Sequence, residues 1–209
     1  MRLVLASNNA KKLVELQALL AASGVTLVAQ GTLGVSEADE PHHSFIENAL
    51  TKARHAAQHT GLAAIADDSG LCVDALLGAP GVISAHFAPI ETRLDDREGH
   101  RREQDAANNE LLIERMRGIK DRRARFVSTL VAVRVADDPE PLVAVGRWHG
   151  EILEVPSGAG GFGYDPLMFI AALGQSVAEL DAATKNALSH RALAAAQMRV
   201  LMREAWRLG

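Results

Sequence analysis

Apolar positions along this chain switch repeatedly between two periods, and the switches mark its elements. Leu3-Val4-Leu5-Ala6 is a continuous apolar run and predicts a buried strand over residues 2–6. Leu13, Leu16, Leu19 and Leu20 share one helical stripe, which predicts a helix over 10–22 stopped at Gly24. Residues 26–29 predict a second strand, and 31–43, rich in Gly, Ser, Asp, Glu and Pro, a loop. Ser44-Phe45-Ile46-Glu47 is a capping box that starts a second helix. Phe45, Ile46, Ala49, Leu50 and Ala53 form its apolar face, and Asn48, Lys52, His55 and His59 its polar one, up to Gly61. Residues 63–66 predict a third buried strand, which runs into a turn at Asp67-Asp68-Ser69-Gly70, with 71–76 extended again.

The second half is richer in strands. Residues 91–102 are charged and aperiodic and predict a mobile loop; a third helix starts near Glu103 and closes over 108–116. The β-rich runs 125–136 and 142–153 predict a long antiparallel hairpin joined by Asp137-Asp138-Pro139-Glu140-Pro141. A glycine-rich stretch at 158–166 follows. A second capping box, Ser176-Val177-Ala178-Glu179, opens a short helix, and an amphipathic helix over 187–208 ends the chain. The class is α/β: a mixed, curved sheet split over two lobes, with flanking helices.

Composition bounds the function. The 209 residues suit one domain over 1–209 with a core large enough to need no staples. The net charge is −4, which excludes a general nucleic-acid binder, so any anion site is a local cluster. One cysteine, Cys72, leaves no internal disulfide and fits a reducing compartment. No apolar run spans a bilayer and none matches a signal peptide, so a cytoplasmic protein with no membrane partner is expected.

Five stretches carry candidate chemistry. Ser7-Asn8-Asn9-Ala10-Lys11-Lys12 joins a strand end to a helix start, where phosphates bind in α/β folds; the plainer reading is an asparagine cap with two solvated lysines. Two cations at a helix N-terminus oppose the dipole, at roughly 0.3–1 kcal/mol each, and an anionic ligand would remove the conflict. Asp67 and Asp68 suit Mg²⁺, yet neighbours in an extended segment point opposite ways, so only one faces an ion. Asp39-Glu40-Pro41 is either a solvated acidic loop or a second metal carboxylate. Residues 158–166 place Phe162 among four glycines, suited to backbone contact with a ligand and to stacking on a base, or to a hairpin loop with Phe162 in the core. Lys185, His190 and Arg191 repeat the oddity of cations beside a helix start near Ser189. Anion site, metal carboxylates and aromatic platform together describe a nucleotide polyphosphate enzyme.

These stretches resemble the inosine triphosphate pyrophosphatase family, which includes the bacterial dITP/XTP pyrophosphatases. The resemblance runs through Leu5-Ala6-Ser7-Asn8-Asn9-Ala10-Lys11-Lys12, Phe45-Ile46-Glu47-Asn48-Ala49, Ala66-Asp67-Asp68-Ser69-Gly70-Leu71, Gly78-Ala79-Pro80-Gly81, Gly160-Gly161-Phe162-Gly163-Tyr164-Asp165-Pro166 and Ala187-Leu188-Ser189-His190-Arg191, six in order over nearly the whole chain. It implies an elongated fold with a central cleft, a homodimer, and Mg²⁺-dependent cleavage of non-standard purine nucleoside triphosphates to monophosphate and pyrophosphate. By position it implies that Ser7, Asn8, Asn9, Ala10, Lys11 and Lys12 hold the triphosphate; in the mechanism expected for such a site, Lys52 joins Lys11 and Lys12 in stabilising the leaving pyrophosphate. It makes Asp68 the general base and a metal ligand, with Glu40 as a further ligand. Ser69, Phe162, Gly163, Tyr164, Asp165, Lys185, His190 and Arg191 contact the nucleotide in that reading. Two departures stand out: His86 where the family has arginine, and a longer charged stretch over 92–105. A pyrophosphatase for pyrimidine or modified nucleotides and a non-catalytic nucleotide sensor are the alternatives.

Overall fold

A computed structural model describes residues 1–90 and 97–208. Its strands are β1 (Arg2–Leu5), β2 (Thr26–Ala29), β3 (Ala64–Val73), β4 (Arg123–Val133), β5 (Leu142–Ile152), β6 (Met168–Ile170) and β7 (Gln175–Ser176). The helices are α1 (Ala10–Leu20), α2 (Phe45–Thr60), α3 (Arg97–Arg115), α4 (Ala182–Leu188) and α5 (His190–Trp206). One seven-stranded sheet has the order β2-β1-β3-β4-β5-β6-β7. β1 pairs in parallel with β2 and β3, whereas β5–β6 and β6–β7 are antiparallel, so the mixed sheet expected from the sequence is present.

The chain forms two compact units. The first comprises Met1–Ser69, Val127–Arg147 and Asn186–Gly209; the second comprises Gly70–Phe126 and Trp148–Lys185. In the first unit, strand parity sorts side chains to two buried faces. Leu3, Leu5, Ala63, Ile65, Leu130 and Ala132 pack with Leu16 and Leu20 of α1 and Met198 and Met202 of α5. Val4, Ala6, Ala64, Ala66, Val131 and Val133 pack with Ala49, Ala53, Ala56 and Ala57 of α2. Burial on both faces explains why these strands read as unbroken apolar runs. The second unit has its own core, in which Leu112 of α3 and Met116 just after it meet Leu71, Val73, Phe126, Trp148, Tyr164 and Leu167.

Three boundaries differ from the sequence reading. β3 runs unbroken through Asp67-Asp68-Ser69-Gly70 instead of turning there, because each of the two buried carboxylates has an ion partner. α3 begins at Arg97, six residues before the expected start; the predicted loop over 91–102 therefore overlaps a helix from 97 onward, and 91–96 lie outside the described residues. Its hidden stripe includes the polar Gln104 and Asn108 ahead of Leu112, so hydrophobic periodicity finds only its end. The expected helix over 187–208 is two helices parted at Ser189, whose hydroxyl accepts from Ala192 N–H at 3.1 Å and caps α5.

Candidate active site

In the first unit, alternation along β3 gives Asp67 and Asp68 opposite surroundings. Asp67 shares the parity of Ala63 and Ile65 and meets residues of α1 and α5; Asp68 shares that of Ala64 and Ala66 and meets Lys52 of α2.

Asp67 is fully compensated. Its Oδ2 lies 3.0 Å from Lys12 Nζ and 3.1 Å from Arg191 Nε, and its Oδ1 accepts from Ser128 Oγ at 2.7 Å. Burial acts to raise its pKa, but Arg191 first and Lys12 second outweigh it and hold the carboxyl far below the usual range. Arg191, itself buried, also pairs with Glu15 at 2.7 Å and donates to Ser69 Oγ at 3.1 Å. Arg191 and Lys12 therefore face an internal carboxylate, and the charge conflict at the start of α1 is answered within the protein for Lys12.

Asp68 is different. Its Oδ1 accepts from Lys52 Nζ at 2.6 Å, while its buried Oδ2 has no hydrogen-bond donor. Lys52 also reaches Glu40 Oε2 at 3.0 Å and Asp67 O at 3.3 Å. Burial first, and the Glu40 carboxylate in addition, push Asp68 up to about 6 against the pull of Lys52. Burial also acts to raise Glu40, but Lys52 prevails and its pKa is lowered. Lys52 remains a cation, since Asp68 and then Glu40 outweigh its desolvation.

Glu40 stands in the segment between β2 and α2, which Asn48 ties down. Asn48 Oδ1 accepts from His42 N–H at 3.0 Å and its Nδ2 donates to His42 O at 3.3 Å. A carboxylate oxygen without a donor, next to a second carboxylate, fits a hard divalent cation. Among the described residues no group of three or more His, Cys, Asp or Glu could hold a metal. A two-carboxylate set suits Mg²⁺, which keeps waters and takes phosphate oxygens for its remaining positions.

The start of α1 is capped from within the chain. Ser7 N–H donates to Leu5 O at 2.8 Å and Ser7 Oγ accepts from Asn9 N–H at 3.1 Å, turning the chain sharply out of β1. Asn9 Oδ1 caps the N–H groups of Lys11 and Lys12 at 3.0 and 3.2 Å. Asn8 Nδ2 donates to Glu37 at 3.1 Å, and Gly31 leaves it room, since a Cβ there would sit 2.5 Å from Asn8 Oδ1. Ala10 and Lys11 are exposed. His190, the first residue of α5, is buried; Gly146 lets α5 lie against β5, where a Cβ would meet His190 O at 1.9 Å.

The second unit holds the other sequence-predicted group. Phe162 N–H donates to Asp165 Oδ2 at 2.9 Å, and Lys185 Nζ reaches the same oxygen at 2.6 Å while lying 4.5 Å from the centre of the Phe162 ring. Gly161 has φ +76°, and a Cβ there would meet Asp165 Oδ2 at 2.1 Å. Tyr164 is buried and donates to Ser84 O at 2.9 Å; burial and then Asp105 raise its pKa. Phe162, Asp165 and Lys185 are thus brought together, while the Tyr164 ring belongs to the core. His86 is exposed. His55 and His59 contact the carbonyls of Ser36 and His55.

Sequence reasoning passed over Glu15, Ser128, Asp105 and Asn109. Ser128, a polar residue inside the apolar run 125–136, was the clearest available signal, and Glu15 lies three and four residues after the two lysines.

The Ham1 family matches residues 3–201. A dITP/XTP pyrophosphatase of Methylibium petroleiphilum is 67% identical over 206 residues, 99% of each chain. One from Burkholderia pseudomallei is 61% identical over 92% of this chain and 89% of that protein. Among solved structures, a HAM1 protein from Coxiella burnetii superposes with a TM-score of 0.87 at 39% identity, covering 98% of this chain and 100% of that one. A nucleoside-triphosphatase / dITP/XTP pyrophosphatase from Mycobacterium abscessus does so with a TM-score of 0.72 at 42% identity, covering 95% and 97%.

Proposed function

The chain belongs to the Ham1 family, and from that premise we propose that it hydrolyses non-standard purine nucleoside triphosphates, dITP, ITP and XTP, to the monophosphate and pyrophosphate. The observation that carries the mechanism is the division of labour on β3. Asp67 is locked among cations, whereas Asp68 keeps one buried oxygen without a donor and a pKa pushed up to about 6. A carboxylate so placed is ionised at neutral pH and basic enough to accept a proton from water.

Asp68 takes a proton from a water that attacks the α-phosphorus. A new phosphorus–oxygen bond forms there, the α–β bridge bond breaks, and pyrophosphate leaves. Lys11, Lys12, Lys52 and the start of α1 oppose the charge of the phosphates, with Ser7, Asn8, Asn9 and Ala10 allowing close approach. Asp68 and Glu40 would hold Mg²⁺, which when bound neutralises phosphate charge. Phe162 stacks on the base, with Gly163 and Asp165 supporting that loop and Lys185 donating beside it. Ser69 and Arg191 hold Asp67, and His190 lies at the start of α5. Hypoxanthine and xanthine carry a carbonyl at C6 where adenine carries an amino group, so a donor aimed at that position rejects adenine.

The resemblance and the single buried cysteine support a homodimer working in the cytoplasm; sedimentation of the purified chain tests the first point. Among the described residues no helix is long and apolar enough to cross a membrane. The direct test is pyrophosphate release from ITP, XTP, GTP and ATP with Mg²⁺ and with chelator. Fast release from ITP and XTP, slow release from ATP and none with chelator are expected. Equal rates on all four would overturn the substrate reading, and tight ITP binding without release would make the chain a sensor.

A further inference from the structure

α3 carries two side chains that grip a single residue of the glycine-rich loop. Asp105 Oδ2 accepts from Gly163 N–H at 2.8 Å, and Asn109 Nδ2, one turn later, donates to Gly163 O at 2.9 Å. Asn109 Nδ2 also donates to Asp105 O at 2.8 Å, which ties it to its own helix. The Gly163 N–H belongs to the peptide that follows Phe162, and its carbonyl to the peptide that precedes Tyr164. Holding both groups therefore fixes both peptide planes around Gly163, and with them the direction in which Phe162 leaves the chain. Gly163 has φ +61°, a conformation that a side chain would strain, so glycine suits the gripped position.

Two further observations mark this as more than packing. Asn109 Oδ1 is buried with no hydrogen-bond partner, so the amide is oriented for its two donations at the expense of its acceptor. A flipped amide would face two carbonyls with an oxygen, which settles the orientation. The same helix is anchored one position away: Asn108 accepts from Ala88 N–H at 2.8 Å and donates to Ser84 O at 3.2 Å. Ser84 O in turn receives the Tyr164 hydroxyl. α3 is thereby fixed to the segment before it and to the recognition loop after it.

We propose that Asp105 and Asn109 are positioning residues for nucleobase recognition, acting on the base only through Gly163 and the Phe162 ring it aims. This rests on the reading that Phe162 takes the base. Both residues act here on the main chain of Gly163, so their loss weakens binding of a nucleotide and spares binding of phosphate alone.

The test compares Asp105→Ala, Asn109→Ala and Asp105→Asn with the unaltered chain. Steady-state hydrolysis of ITP gives KM and kcat, and competitive inhibition by inorganic tripolyphosphate gives affinity for the phosphate portion alone. Asp105→Ala raises KM for ITP about tenfold or more, from loss of one charge-assisted hydrogen bond, and leaves kcat and tripolyphosphate inhibition within about twofold. Asn109→Ala moves the same quantity in the same direction. Asp105→Asn, which keeps an acceptor for Gly163 N–H, restores most of the lost affinity. An unchanged KM in both alanine variants overturns the inference alone, as does a fall in tripolyphosphate inhibition parallel to the rise in KM. Absence of pyrophosphate release from ITP by the unaltered chain overturns the proposed function, and the inference with it.

Discussion

The two units solve different problems with different means. The first gathers charge: Asp67, Asp68, Lys52 and Arg191 are all buried within it. Burying them is tolerable only because each has an ionic partner, through Lys12, Glu15 and Glu40. The second unit's loop at 158–166 brings together main-chain groups, glycines and the Phe162 ring, with the Lys185–Asp165 pair beside them. The contrast matches the roles proposed for the two sets of residues. A triphosphate is recognised by charge, and a ring by shape and a few directed hydrogen bonds.

Substitutions should separate the two. The largest effect falls in the first unit: Asp68→Asn lowers kcat for ITP by about 10²–10⁴-fold, the usual worth of a general base, while ITP affinity by calorimetry stays within an order of magnitude. Near-normal turnover would remove Asp68 from the mechanism. Its neighbour behaves as a structural residue. Asp67→Ala leaves Arg191 and Lys12 facing an uncompensated site and destabilises the fold by about 3–5 kcal/mol in chemical denaturation. A stable Asp67→Ala protein would contradict the network.

In the second unit, Phe162→Ala weakens ITP binding by about 1–3 kcal/mol, the typical worth of a base–aromatic stack, with no change in tripolyphosphate inhibition. Acid should act on the first unit and in opposite senses on its two aspartates. Asp68 has a raised pKa, so the folded state binds more protons than the unfolded one from about 4 to about 6, and this residue's contribution to stability falls as pH rises through that window. Its catalytic role needs the ionised form, so kcat/KM falls about tenfold per pH unit below about 6. Asp67 has a lowered pKa, so its contribution to stability is present above its usual 3.8 and is lost as pH falls below it. A kcat/KM profile flat from pH 7 to 4.5 would contradict the base assignment. The smallest change is expected for Lys12→Ala, which costs about 1 kcal/mol of stability because Arg191 still holds Asp67.

That last prediction shows what the sequence reveals and what it hides. The two lysines at the start of α1 are visible as a conflict with the helix dipole, and a phosphate ligand resolves it on paper. Lys12 also has a partner 55 residues away, Asp67, which no local pattern discloses. Alternation along β3 was legible and predicted that only one of the two aspartates could serve an ion; which one depends on the helices packed on each face, and so on tertiary structure. α1, α2, β1, β2 and the β4–β5 pair follow from apolar period and caps. The start of α3 was lost because its buried stripe is made partly of Gln104 and Asn108, whose partners are main-chain groups of the preceding segment. Asp105 and Asn109 were hidden for the same reason: their work is done on the backbone of Gly163, which has no side chain to signal it.

The central claim is that water activated at Asp68 attacks the α-phosphorus. Hydrolysis of ITP in ¹⁸O-labelled water, followed by mass analysis of both products, tests it most directly. The account predicts label in the monophosphate and none in pyrophosphate; label in pyrophosphate would place the attack on the β-phosphorus and contradict it.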